Sequence, residues 1–133
     1  MKRALPDWVI PDDLNAIVAR EGFWESDRWE PIALTVEGDT VYQGRAIPLS
    51  WQIAFAPYGP EFEETNRRLA ARTGSEPDAY SWSDAILSAM KVKAPQFIEQ
   101  VHDDSELAAC VFWVESEAAC KALIELIWEM LYQ

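Results

Sequence analysis

His102 is the one histidine of the chain, and it stands in the run His102-Asp103-Asp104-Ser105. These are the residue types of a Ser/His/Asp acyl-transfer site. That chemistry needs the three groups to converge in space, with the serine on a sharp strand-to-helix turn. Neighbours in sequence do not converge in this way, and no nucleophile-elbow pattern occurs. The run reads as a solvated polar turn, and no catalytic residue is assigned. Tight zinc binding calls for several Cys and His ligands. One histidine and two cysteines, Cys110 and Cys120, make a poor set. The acids lack the spacing and central glycine of a calcium loop, so no metal is expected. Five glycines, none in a phosphate-cradling pattern, argue against a nucleotide, and no cofactor is expected. Paired carboxylates could run a hydrolysis. With 23 acids, any chosen pair is nonspecific.

Surface chemistry remains. The 133 residues carry a formal net charge of −12. That sign opposes binding to phosphate backbones, which requires a basic patch. Three acidic groups stand out: Asp103, Asp104 and Glu106; Glu61, Glu63 and Glu64; and the acids interleaved with Trp24 and Trp29 in Phe23-Trp24-Glu25-Ser26-Asp27-Arg28-Trp29-Glu30. Residues 101–133 hold seven acids against one lysine. A field this one-sided steers a basic protein partner. Aromatic rings among carboxylates have the composition of a binding hot spot. Trp24 and Trp29 are the expected anchors, unless both rings fold back on the preceding helix. Trp51, Trp113 and Trp128 fit core periodicity and are assigned there.

The elements that must position these groups follow from period and punctuation. A single domain over 1–133 is expected from length, and it buries roughly two-thirds of its surface. Residues 1–10 read as a poorly ordered or briefly extended lead-in. Leu14, Ile17 and Val18 mark a helix closed by Gly22. Residues 28–38 read as a strand, turned back at Gly38-Asp39. Leu49, Trp51, Ile53 and Phe55 share one face of the clearest strand, while Gly44 and Pro48 disrupt the approach to it. A helix runs from Glu61 to about Arg72. Ser81-Trp82-Ser83-Asp84 suggests a capping box, with a helix ending before Pro95. Residues 97–101 fit a short helix or a strand. Residues 102–106 read as a polar connector, and Leu107–Val114 as a buried strand. Ser116 caps a last helix. These elements predict an α+β fold: a central, mainly antiparallel sheet of about four to six strands with helices packed on it.

In Ala118–Tyr132, 12 of 15 residues are apolar. Such a helix is a core element or half of a homodimer interface. It is too short and too charged to span a bilayer, and no membrane role is expected. No apolar run of signal-peptide length follows Lys2-Arg3, so the chain reads as cytoplasmic. Two buried, reduced thiols are expected there, although a bond between Cys110 and Cys120 is geometrically open.

Ala79-Tyr80-Ser81-Trp82 opens a helix, Asp104-Ser105-Glu106 leads into the strand Ala109-Cys110-Val111-Phe112-Trp113, and an apolar helix closes the chain. This order resembles the immunity protein 51 family of bacterial polymorphic toxin systems over residues 79–133. The resemblance implies a cytoplasmic, non-enzymatic inhibitor that binds a cognate toxin domain. The acidic composition suits a basic toxin. Asp103, Asp104 and Glu106 are the first expected contacts, with Glu61, Glu63 and Glu64 as a second group. A homodimeric adaptor module and a carboxylate-dependent hydrolase are the rival readings.

Overall fold

The computed structural model describes residues 2–132. Five strands form one sheet: β1 Phe23–Ser26, β2 Ala33–Tyr42, β3 Arg45–Phe55, β4 Val101–Asp103 and β5 Cys110–Val114. Their order is β1-β2-β3-β5-β4, and every pair is antiparallel. Four helices accompany them: α1 Leu14–Glu21, α2 Glu63–Thr73, α3 Ala79–Lys93 and α4 Glu117–Tyr132. The α+β expectation holds. No described helix is long and apolar enough to cross a membrane.

Alternation assigns the two faces of the sheet. The register row Trp24–Val36–Trp51–Val114–Val101 looks inward. It joins Val18, Leu69, Trp82, Ile86, Leu123 and Ile127 from the four helices in one core. The next row, Glu25–Thr35–Gln52–Trp113–His102, looks the other way. Each large apolar chain taken fully from water contributes about 1.5–3 kcal/mol. Trp82 is fully buried, donates Nε1–H to Asn66 Oδ1 at 2.6 Å and meets Phe55 and Phe62 edge-on.

Several expectations shift. The lead-in is packed rather than loose over its described residues. Trp128 Nε1–H donates to the Arg3 carbonyl at 2.8 Å, Trp29 Nε1–H to the Pro6 carbonyl at 3.3 Å, and Trp8 Nε1–H to Glu117 at 2.8 Å. The Trp8 ring lies 4.9 Å from that of Trp29. Residues 27–32 are a turn with a cis Glu30–Pro31 bond, so the strand expected from 28 starts at Ala33.

The hairpin turns at Gln43-Gly44, not at Gly38-Asp39. Both turn residues have positive φ, 49° and 79°, as a two-residue type I′ turn requires. Gly38 stays in the strand because α1 lies against it: a Cβ there would meet Val18 Cγ1 at 2.9 Å. Asp39, at φ 55°, stands opposite Pro48, which has no N–H for the ladder. Beyond that point the hairpin packs on the outward face. Thr40 Oγ1 donates to Ser50 Oγ at 3.1 Å, and the Tyr42 ring meets Trp113 and His102. Trp113 is therefore not a core residue but a half-buried ring on the outward face.

The capping box of α3 lies three residues earlier than expected. Asp78 accepts from the Ser81 N–H at 3.0 Å, and Ser81 Oγ accepts from the Asp78 N–H. Residues 95–100 form a 3-10 helix, and β4 starts at Val101 and runs into the expected connector. Ser116 Oγ accepts from the Ala119 N–H at the start of α4, as expected of a cap. Nine residues of α4 are buried within the chain, and its surface stripe is Lys121, Glu125 and Glu129. The apolar face invoked for a dimer is already covered. Both cysteines are buried and free.

Candidate functional site

The strand order gathers residues that are far apart in sequence. β1, β3 and β4 all finish at one end of the sheet, where β2 and β5 begin. Three connections leave from that end. Residues 27–32 carry Asp27 and Glu30; residues 56–64 carry Glu61, Glu63 and Glu64; residues 103–109 carry Asp103, Asp104 and Glu106. Eight carboxylates, Glu63 and Glu64 of them in the first turn of α2, thus share one end of the sheet, and the bases beside them are Arg28, Arg3 and Arg67. Ser26 and Asp103 sit on one register row, four strand spacings apart, or roughly 19 Å. The acidic groups form a rim along that line.

Local structure holds each group. The segment 104–111 is a tight return: Asp104 N–H donates to the Val111 carbonyl at 2.8 Å, and Glu106 and Ala109 bond each other's backbone. Asp103 accepts from the Ser105 N–H at 2.9 Å. Ser105 Oγ accepts from the Val111 N–H at 3.0 Å and from Ser83 Oγ at 2.6 Å. This network uses the serine structurally and leaves the side chains of Asp103, Asp104 and Glu106 outward and exposed. Tyr58 locks the return to α3, donating to the Leu107 carbonyl and accepting from the Ala79 N–H. His102 turns away from the acids. Its Nε2 lies 2.7 Å from Glu115, and its ring stacks on Trp113 at 4.1 Å. The Ser/His/Asp residue types therefore do not converge.

Two clefts open along the rim. One, of about 890 Å³, lies between the β1–β2 connection and the start of the α2 segment, and is lined by Glu25, Asp27, Glu30 and Glu61 with Arg3 as its cation. Glu61 accepts from the Tyr132 hydroxyl at 3.0 Å. Burial, and then the Glu61 carboxylate, push the Tyr132 phenol above its ordinary value. The Arg3 guanidinium lies 5.1 Å from the Trp128 ring and 5.6 Å from that of Tyr132. The second cleft, of about 780 Å³, places Glu63, Asn66, Glu76 and Asp78 beside Tyr58 and Leu107, with Arg67 as its cation. The Ser81 N–H holds the Asp78 carboxyl below its ordinary value. Among the described ion pairs, none involves Asp27, Glu30, Glu61, Glu63, Asp103, Asp104 or Glu106.

Of the expected contacts, Glu61, Glu63, Glu64, Asp103, Asp104 and Glu106 do share this end. The aromatic anchors fare differently. Trp29 has 0% exposure and is a core residue, held between Trp8 and the Pro6 carbonyl. Trp24 is half-buried on the inward face of the edge strand and packs on the core. The acids of that segment, Glu25, Asp27 and Glu30, were visible as a group but not expected as contacts in place of the two rings. Their signal was their spacing around a buried Trp29, which turns them outward. Among the described residues no group of three His, Cys, Asp or Glu is placed to hold a metal ion. Comparison with protein-family models, curated sequences and solved structures finds no match.

Proposed function

We propose that this protein is a non-enzymatic, cytoplasmic inhibitor of the immunity type, which neutralises a basic toxin domain by covering it with the acidic end of its sheet. One observation carries the reading: eight carboxylates from three distant segments meet at one end, where they outnumber the bases beside them, Arg3, Arg28 and Arg67. A compact acidic rim attracts a basic partner over about a Debye length, ~8–10 Å at physiological salt, and raises its on-rate. The clefts beside Glu61 and Glu63 offer carboxylates to lysine, as a point charge, and to arginine, whose bidentate bonds to carboxylate are strong. The rigid return at 104–111 presents Asp103, Asp104 and Glu106 with little backbone entropy left to lose.

The test is capture of a partner by the tagged protein at low and moderate salt. We expect one stoichiometric polypeptide with excess Lys and Arg, released as salt rises. The variant Asp103→Lys/Asp104→Lys should lose it while keeping its far-UV spectrum. A partner retained by the variant at all salt concentrations would refute the reading.

A further inference from the structure

Among the described residues, no helix lies over the outward face of the sheet. Its middle row, Thr35–Gln52–Trp113, is flanked by Ala33, Ala54 and Val111 in the neighbouring register row. Solvent-facing strand positions ordinarily carry charge on one side of an antiparallel sheet. Here the centre is uncharged, so covering it strands no charge away from water.

Beside that centre stands an ordered aromatic cluster. The half-buried Trp113 ring has His102 stacked on it at 4.1 Å and Tyr42 edge-on at 5.1 Å. Glu115 binds Arg45 through both oxygens, at 2.9 and 3.2 Å, and reaches His102 at 2.7 Å. Trp, Tyr and Arg already locked in place are the residue types that carry most interface energy. On the β1–β2 side the face is bordered by the exposed Glu25, Glu37 and Asp39. An uncharged, partly aromatic centre with an acidic border along β1–β2 fits a partner whose contact surface is basic on that side. A second copy of this chain would set two like-charged borders against each other, at −12 each. The face alone measures roughly 20 by 17 Å, under half the ~800 Å² per partner of a stable interface. A footprint of ordinary size therefore runs on over the acidic end.

We propose that the open sheet face around Gln52 and Trp113 receives the central contacts of the basic protein partner, with the acidic end as the rim of the same interface. This rests on the inhibitor reading above. The test places the photoreactive residue benzoylphenylalanine singly at Gln52, at Leu107 in the acidic end, or at the exposed Ser88 of α3. Each tagged variant is irradiated at low salt in lysate of the producing organism, and adducts are sequenced. We expect one Lys- and Arg-rich polypeptide joined at Gln52 and at Leu107, and none at Ser88. Thr35→Arg, which adds bulk and like charge to the centre without removing a contact, should cut the Leu107 adduct by about tenfold. An adduct at Leu107 that survives Thr35→Arg, with Gln52 silent, overturns the sheet-face proposal and leaves the inhibitor reading standing. Joining of Gln52 to a second copy of the chain overturns it in favour of self-association. Silence at all three positions counts against both.

Discussion

The two ends of the sheet treat carboxylates in opposite ways. At the hairpin end Glu115 lies between Arg45 and His102, and Glu21 lies against Arg20. Glu115, just past β5, ties Arg45 of the β2–β3 hairpin to His102 of β4, and the Arg20–Glu21 pair lies within α1. At the other end, carboxylates from three segments face water, and seven of the eight have no described ion pair. Like charges gathered in this way cost stability through repulsion. The contrast separates acids that hold the fold from acids available to something outside it.

Trp29→Ala should have the largest effect, and it asks whether the ring between the acids is scaffold or contact. Removing a fully buried Trp costs about 3–5 kcal/mol, readable by urea denaturation. A native-like midpoint with lost binding would restore Trp29 as an anchor and break the comparison. Asp103→Lys/Asp104→Lys should slow partner association by about tenfold or more at low salt. Its stability should fall by no more than about 1 kcal/mol, the worth of the exposed Asp103–Ser105 N–H bond. A large loss of stability would mean that these acids serve the fold after all.

At the hairpin end the expected sign reverses. Glu115→Gln should lower stability by about 1 kcal/mol and leave association unchanged. Arg45, and then the His102 bond against the opposing effect of burial, hold the Glu115 carboxyl below its ordinary value. A depressed folded pKa means that this contribution is present above the ordinary carboxylate range. It fades as pH falls through that range toward the lowered value. Denaturation midpoints of parent and variant should therefore converge in acid and separate near neutrality. The smallest effect concerns the thiols. Burial pushes Cys110 up to about 12 and raises Cys120 as well. A thiol reagent at mild alkaline pH should leave the native protein unmodified, and both thiols should react once it is unfolded.

Much of this was legible in local pattern. The alternation of Leu49, Trp51, Ile53 and Phe55 and the Ser116 cap each rest on neighbours within a few residues, and both stand. What failed depended on distant partners. Gly38 resembled a turn glycine, yet its small size serves the approach of Val18 from α1. The true turn carries Gln43 at positive φ, a residue type with no turn signature. Trp29 looked exposed because its cover, Trp8 and the Pro6 carbonyl, lies more than 20 residues upstream. Trp113 looked buried because its strand is apolar, but it lies half-exposed on the outward side, beside Tyr42 and His102. Each acidic group was visible by itself. Their union required the strand order, which no local window contains.

The most direct test of the acidic end is the association rate of the protein with its captured partner, followed from about 0.02 to about 0.3 M salt. The parent is compared with Glu61→Gln/Asp103→Asn/Asp104→Asn, which removes charge and keeps shape. The account predicts a steep fall in the parent's rate with salt, and a slower, flatter profile for the variant. Equal rates for the two proteins, unchanged across that range, would contradict it.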